Sequence, residues 1–274
     1  MKNVLTIAGS DSSGGAGIQA DLKSFSANGV YGMSVITAIT AQNTQGVFAV
    51  QDVDKNIIKA QIDSIFSDIT VDAVKIGMVS KTSTINVISE KIKQYKPKNI
   101  ILDPVMISKS GYDLLKPEAK KALIEKLIPL ADLITPNIPE AEEILKESNS
   151  NIKKINTLED MEKAAKEIKN LGCKNVLVKG GHFTGDAIDV LYSDEGVFYF
   201  NFERIHTKNT HGTGCTLSSA IASNLALGFS IKDSVEKAKN YINIAILHSL
   251  DIGHGVGPTH HFYELYKKAG IIND

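Results

Sequence analysis

Short apolar runs of strand length alternate with amphipathic helical stretches along nearly the whole chain, and that alternation admits few architectures. Val4–Ala8 is an apolar run ended by Gly9, and Ala16–Asn28 has helical spacing, with Ile18, Leu22 and Phe25 on one face and Gly29 as its stop. Val35–Ala41 and Val47–Val53 have strand character, and Ile57–Phe66 turns Ile58, Ile62, Ile65 and Phe66 to one side. Strand and helix then follow each other through Ala73–Ile76, Thr82–Tyr95, Ile100–Leu102, Glu118–Leu127, Leu133–Thr135 and Pro139–Leu145. Thr157-Leu-Glu-Asp160 resembles a capping box opening a helix to about Leu171, and Val176–Lys179 is again a strand. Val190–Tyr192 and Val197–Phe202 frame a hairpin, and helices over Leu217–Leu227 and Lys232–His248 follow. Such alternation calls for an α/β fold with a parallel sheet covered on both faces. The 274 residues, 43% of them hydrophobic, can bury a large core. With no linker, low-complexity run or repeat, residues 1–274 are expected to form a single domain.

Charge and cysteine content remove several classes of function. Lys+Arg number 30 against 31 Asp+Glu, which leaves no basic field for a nucleic acid. Cys173 and Cys215 make neither a disulfide framework nor a zinc pattern. The apolar run after Met1-Lys-Asn is too short for a signal core, and no run reaches membrane-spanning length. A cytoplasmic setting without a membrane or nucleic-acid partner is the expectation.

Ligands of parallel sheets collect beyond the carboxyl ends of the strands. The polar clusters Gly9–Gly15, Gln42–Thr44, Gly77-Met78, Asp103-Pro104, Pro136-Asn137 and Gly180-Gly181 all follow strands, so they should converge on one edge. The richest cluster is Thr207-Lys-Asn-Thr-His-Gly-Thr-Gly-Cys-Thr216, which runs straight into the helix from Leu217. Glycines at a helix N-terminus allow close approach to the free first-turn N–H groups, and the dipole favours an anion there. Cys215 in that turn is expected to have a lowered pKa and to serve as a base; the bland alternative is a small buried hydrophobe. Asp21 lies one turn into the first helix, where it either stabilises the dipole or enters a site. Asp103 needs a cation or donors. Asn137 and Glu140 either cap a helix or position magnesium and phosphate, and Lys179 either neutralises phosphate or snorkels.

Gly15-Ala-Gly-Ile-Gln-Ala20 also fits a dinucleotide fingerprint. The loop from Gly9 is long for one, however, and Gln42 ends the next strand where an acidic residue would be expected. Neither a P-loop nor a G-x-S-x-G elbow is present. His260-His261 cannot both face one metal from a helix, so they are expected to be solvated or capping.

Taken together, several stretches resemble a known family. They are Gly9-Ser-Asp-Ser-Ser-Gly-Gly-Ala-Gly-Ile-Gln-Ala-Asp-Leu-Lys23, Ala41-Gln-Asn-Thr44, Lys75-Ile-Gly-Met78, Asp103-Pro-Val-Met106, Lys109-Ser-Gly111, Thr135-Pro-Asn-Ile-Pro-Glu140, Lys179-Gly-Gly-His182, Asn209-Thr-His-Gly-Thr-Gly-Cys-Thr216 and Gly257-Pro258. The set is similar to the hydroxymethylpyrimidine/phosphomethylpyrimidine kinases of thiamine biosynthesis, within the ribokinase-like superfamily. The resemblance implies a three-layer α/β/α sandwich with a mostly parallel central sheet. It implies transfer of the ATP γ-phosphate to 4-amino-5-hydroxymethyl-2-methylpyrimidine and then to its monophosphate.

By the same resemblance Gln42 binds the pyrimidine, and Asp21, Gly9, Met78 and Val105 occupy pocket positions. Gly212, Thr213, Gly214 and Cys215 form the anion hole, with Cys215 as base. Lys179, Asn137 and Thr210 serve ATP and its phosphates, and Glu140 with Asp103 serves Mg2+. A monovalent cation and a homodimer are further implications. The rivals are a pyridoxine/pyridoxal kinase, a nicotinamide-dinucleotide-dependent oxidoreductase and a non-catalytic vitamin-binding protein. Gln42-Asn43 favours the pyrimidine, because an amide both donates to and accepts from an aminopyrimidine edge.

Overall fold

A computed structural model describes residues 1–106, 115–181 and 187–272. Among them one sheet of nine strands has the order β3-β2-β1-β4-β5-β6-β7-β8-β9. The strands are β1 Asn3–Asp11, β2 Tyr31–Asn43, β3 Gly46–Asp52, β4 Ala73–Ile76, β5 Ile100–Leu102, β6 Leu133–Ile134, β7 Asn175–Val178, β8 Ala187–Ser193 and β9 Gly196–Phe202. Strands β2, β1, β4, β5, β6 and β7 pair in parallel, whereas β3 and β8 join antiparallel at the two flanks. The carboxyl ends of the parallel strands therefore share one edge.

Side-chain alternation builds the layers. Leu5, Ile7, Val74, Ile76, Ile100 and Leu102 face one core, beneath helices α2 Lys55–Phe66, α3 Thr82–Tyr95, α4 Pro117–Lys126, α5 Ile138–Glu147 and α6 Leu158–Lys169. Val4, Ala73, Ile101 and Leu133 face the other, beneath α1 Gly17–Ala27, α7 Thr213–Ala226 and α8 Ile231–Leu247. The period of two in each strand divides the molecule into the expected three-layer sandwich. A short α9, Tyr263–Lys268, follows.

Two boundaries differ from the sequence expectation in ways that matter for the site. Strand β1 continues past Ala8 through Ser10 and Asp11, paired with Ile39 and Thr40 of β2 beyond a register shift. Strand β2 spans 13 residues and carries Gln42 at its end. Apolar periodicity stops at Gly9, but the backbone ladder does not, because pairing needs only N–H and C=O groups. The polar residues expected in a loop thus stand on a strand. The motif segments Lys109–Gly111 and His182 lie outside the described residues.

Candidate active site

A cavity of about 1140 Å³ lies over the carboxyl ends of the parallel strands. It is somewhat larger than the roughly 300–1,000 Å³ typical of a pocket for one small molecule. Gly9, Gln42, Met78 and Val105 line it, as do Asp103, Asn137, Glu140, Lys179, Thr210 and Gly212 through Cys215. Asp21 is the one predicted site residue that does not.

The turn before α7 needs glycine on two counts. Gly212, the N-cap, has φ 78, and a Cβ there would stand 1.7 Å from the carbonyl oxygen of Gly15. No side chain caps α7; the Thr213 N–H turns back to the Thr210 carbonyl at 3.4 Å, while the N–H groups of Gly212, Gly214 and Cys215 remain for a ligand along the cavity wall. Lys179 Nζ donates to Asp103 Oδ1 at 3.0 Å, and both side chains lie beside Gly214: a Cβ on that glycine would sit in ordinary contact, 3.4 Å from the ammonium and 3.6 Å from Asp103 Oδ2. A helix N-terminus and a largely buried cation thus face the same point. Phosphate oxygens are the guests that combination suits.

Asp103 is fixed by Thr135 at 3.2 Å as well as by Lys179. Asn137 and Glu140 form a reciprocal capping box at α5: Asn137 Oδ1 accepts from the Glu140 N–H at 2.9 Å, and Glu140 Oε2 accepts from the Asn137 N–H at 2.8 Å. The bland reading of these two residues is therefore realised in the fold. Glu140 is nonetheless unusual. Burial pushes its carboxyl up to about 7, Lys179 opposes the rise, and Asp103 adds to it. Glu140 shares the Lys179 ammonium with Asp103, which Lys75 also favours as the anion, so Glu140 is the under-compensated member, and that donor chemistry fits a hard divalent cation held through water. Among the described residues there is no group of three or more ligands that could hold a metal directly.

Cys215 corrects an expectation. Its thiol is pushed up to about 11, first by burial; Lys75 opposes this, while Asp21 and Asp103 add to it. Loss of water outweighs the helix N-terminus, so the resting side chain is a neutral thiol. Asp21 is corrected as well. It is fully buried, and its carboxylate accepts from Lys75 Nζ at 2.9 Å on both oxygens, from Thr6 Oγ1 at 2.6 Å and from Ser219 Oγ at 2.7 Å. Neither dipole stabilisation nor substrate contact describes it; it pins β1, α1, β4 and α7 together, and Lys75 lines the cavity in its place.

Sequence reasoning missed Asp11 and His211 as individual residues. Asp11 accepts from the N–H groups of Ser13, Gly15 and Ala16 and lies 2.7 Å from His211 Nε2, which holds its carboxyl down at about 2 against the effect of burial. Lys239 and Asp189 form another buried pair on the cavity wall, at 2.8 Å. Each partner stands inside a polar cluster or an ordinary helix face, and no local spacing relates residues that far apart. His260-His261 is corrected in part, since His261 is buried against Thr216 Oγ1 at 2.9 Å. The fingerprint glycines answer to the protein itself. A Cβ at Gly15 would meet His211, and one at Gly17 would meet the Gly9 carbonyl at 2.3 Å.

Comparison with known proteins agrees with this geometry. The family model described as phosphomethylpyrimidine kinase matches residues 11–260. The hydroxymethylpyrimidine/phosphomethylpyrimidine kinase of Rhizobium meliloti (strain 1021) is 50% identical over 96% of this chain and 98% of its own. A crystal structure of phosphomethylpyrimidine kinase from Clostridium difficile 630 is 57% identical, covers 90% of this chain and 100% of that one, and superposes with a TM-score of 0.79. An ADP complex of Bacillus subtilis pyridoxal kinase is 42% identical over 96% and 98% of the two chains, with a TM-score of 0.87.

Proposed function

The chain belongs to the phosphomethylpyrimidine kinase family, and from that premise we propose how its own residues divide the work of phosphoryl transfer. It is a kinase of thiamine biosynthesis, phosphorylating hydroxymethylpyrimidine with ATP and then phosphorylating the product again. The observation that carries the division is the convergence of the uncapped α7 N-terminus with Lys179 and Asp103 at Gly214.

Phosphoryl transfer depends on alignment and charge neutralisation more than on covalent chemistry. The N–H groups of Gly212, Gly214 and Cys215 receive the phosphoryl oxygens, Thr213 holds the turn through its own N–H bond to Thr210, and Lys179 with Asn137 and Thr210 neutralises and orients the triphosphate. Gln42 holds the pyrimidine edge against Gly9, Met78 and Val105. Cys215 takes the proton of the acceptor hydroxyl through the small fraction of thiolate in equilibrium with the thiol. Glu140 and Asp103 would hold Mg2+ through water; when bound, that ion offsets phosphate charge. Asp21 and Lys75 keep α7 in place.

We further propose that residues 1–274 act as one domain in the cytoplasm and pair as a homodimer. Ile39 and Phe48, 54% and 69% exposed on the β2–β3 ribbon, support the pairing, and the two free cysteines are consistent with the compartment. No helix among the described residues is long and apolar enough to cross a membrane.

The higher TM-score of the pyridoxal kinase keeps a second reading in view, in which the better acceptor is pyridoxal. Measuring ADP release from Mg-ATP with hydroxymethylpyrimidine, its monophosphate and pyridoxal separately decides the matter. Turnover of both pyrimidines, with pyridoxal much slower, is expected. Turnover of pyridoxal alone would overturn the pyrimidine assignment.

A further inference from the structure

Gln42, Thr40, His211 and Asp11 form a chain of polar contacts along the cavity wall in which the direction of each hydrogen bond is determined. Asp11 Oδ2 lies 2.7 Å from His211 Nε2. The Asp11 carboxylate already accepts from Ser13, Gly15 and Ala16, so it can only accept here too, and Nε2 must carry the proton. This holds for neutral and charged imidazole alike. The Gln42 amide also meets Nε2, at 3.2 Å. A protonated nitrogen cannot face an N–H, and the two ends of an amide are isosteric, so the end turned to His211 is the carbonyl oxygen, which takes the longer branch of a proton given chiefly to Asp11. The other end of the amide reaches Thr40 Oγ1 at 3.3 Å. The single hydroxyl proton of Thr40 goes to the nearer Ser10 carbonyl oxygen at 2.8 Å, which leaves Thr40 Oγ1 to accept the amide N–H.

We propose that Asp11, acting through His211, and Thr40 are positioning residues that lock the Gln42 amide in one orientation and so select which way round the pyrimidine binds. The proposal rests on the reading of Gln42 as the pyrimidine ligand. The locked amide presents its free carbonyl lone pair on the His211 side and its free N–H on the Thr40 side. An aminopyrimidine pairs with it by placing its 4-amino group toward His211 and its ring N3 toward Thr40. In 4-amino-5-hydroxymethyl-2-methylpyrimidine the hydroxymethyl arm is on the carbon next to the amino-bearing one, on the side away from N3. Locking the amide this way round turns that arm toward His211 and hence toward Gly212, the next residue and the start of the anion hole. A flipped amide would accept the ring reversed, with the hydroxyl turned away from the phosphoryl site.

The test uses two alcohols, the natural 4-amino compound and its 4-oxo analogue, whose edge presents a carbonyl and a ring N–H in the reversed pattern. Wild-type enzyme should favour the amino compound strongly. Asp11→Asn and Thr40→Val, each checked for folding by thermal melt, should shrink the ratio of kcat/KM values by ~10-fold or more, largely by admitting the oxo analogue. A purely structural role would lower kcat/KM for both compounds and leave the ratio alone, and an unchanged ratio in both variants overturns the proposal. Nitrogen-15 NMR of the wild-type protein should show His211 Nε2 protonated; an unprotonated Nε2 also overturns it, without any mutation. Gln42→Ala separates the underlying reading. If it leaves pyrimidine binding intact, the ligand role of Gln42 fails; if it abolishes discrimination while Asp11→Asn and Thr40→Val keep it, only the locking role fails.

Discussion

Two effects on a thiol oppose each other at Cys215. The α7 N-terminus and Lys75 favour the thiolate, but burial dominates and the pKa stands at about 11. At pH 7 only about one molecule in ten thousand then carries a thiolate. If that species is the base, log kcat should climb with a slope near one from pH 7 to 9, with no plateau near neutrality. Cys215→Ser should cut kcat by ~10²-fold or more and abolish that slope, with little change in pyrimidine affinity by calorimetry. A flat wild-type profile would remove the thiolate from the mechanism. The Gly212 turn was legible in the sequence because two glycines ahead of a helix state their purpose locally. The pKa was not, since it depends on Lys75 of β4, Asp21 of α1 and Asp103 just past β5, which only the fold assembles around the sulfur.

At the scale of elements, the site is held by polar pairs joining helices to strands. Lys75 on β4 and Asp21 on α1 are both fully buried, and Ser219 ties the same carboxylate to α7. Removing one partner strands a buried charge, so Lys75→Met should cost ~3–5 kcal/mol in denaturant unfolding, and adding Asp21→Asn should recover part of it. A loss below about 1 kcal/mol would show the pair to be dispensable. Helix α5 yields a prediction of the opposite sign. Glu140 titrates near 7 in the fold against an ordinary 4.5. Between those values the folded protein keeps a proton that the unfolded chain has released, so rising pH costs stability across that window. Glutamine keeps the capping box, and Glu140→Gln should therefore be more stable than wild type above pH 7, by on the order of 3 kcal/mol, with the gain fading toward pH 4.5. It should also bind Mg-ATP more weakly. A pH-independent stability difference between the two proteins would contradict the assignment. Capping of α5 and α6 could be read from Asn137 and Thr157 because a cap is a contact three residues long. Salt bridges between elements have no such local signature.

For the whole molecule, the order of elements and the edge that collects the site followed from the alternation of apolar runs, since strand periodicity and crossover helices leave little choice for a parallel sheet. What alternation could not convey is how far β1 and β2 extend past their apolar segments, and hence that Asp11 and Gln42 stand at the ends of adjacent paired strands, Gln42 one residue before the last of β2. It also says nothing about what covers the outer edge at β3. That edge strand presents Phe48 at 69% exposure, with Ile39 at 54% exposure on neighbouring β2. An exposed apolar edge strand invites pairing with another chain, and closed twofold dimers are the commonest way to satisfy one. Phe48→Glu places a charge there without entering either core, so folding should be preserved while association is lost. Sedimentation velocity should show a dimer for the wild type and a monomer for the variant at micromolar concentration. A wild-type monomer, or a variant that stays dimeric, would move the interface elsewhere or remove it. The β2–β3 ribbon also carries Gln42, paired with Val47 next to its turn. If the dimer forms through it, the monomeric variant should bind the pyrimidine more weakly while its affinity for ATP, held at Lys179 and the α7 turn, stays unchanged.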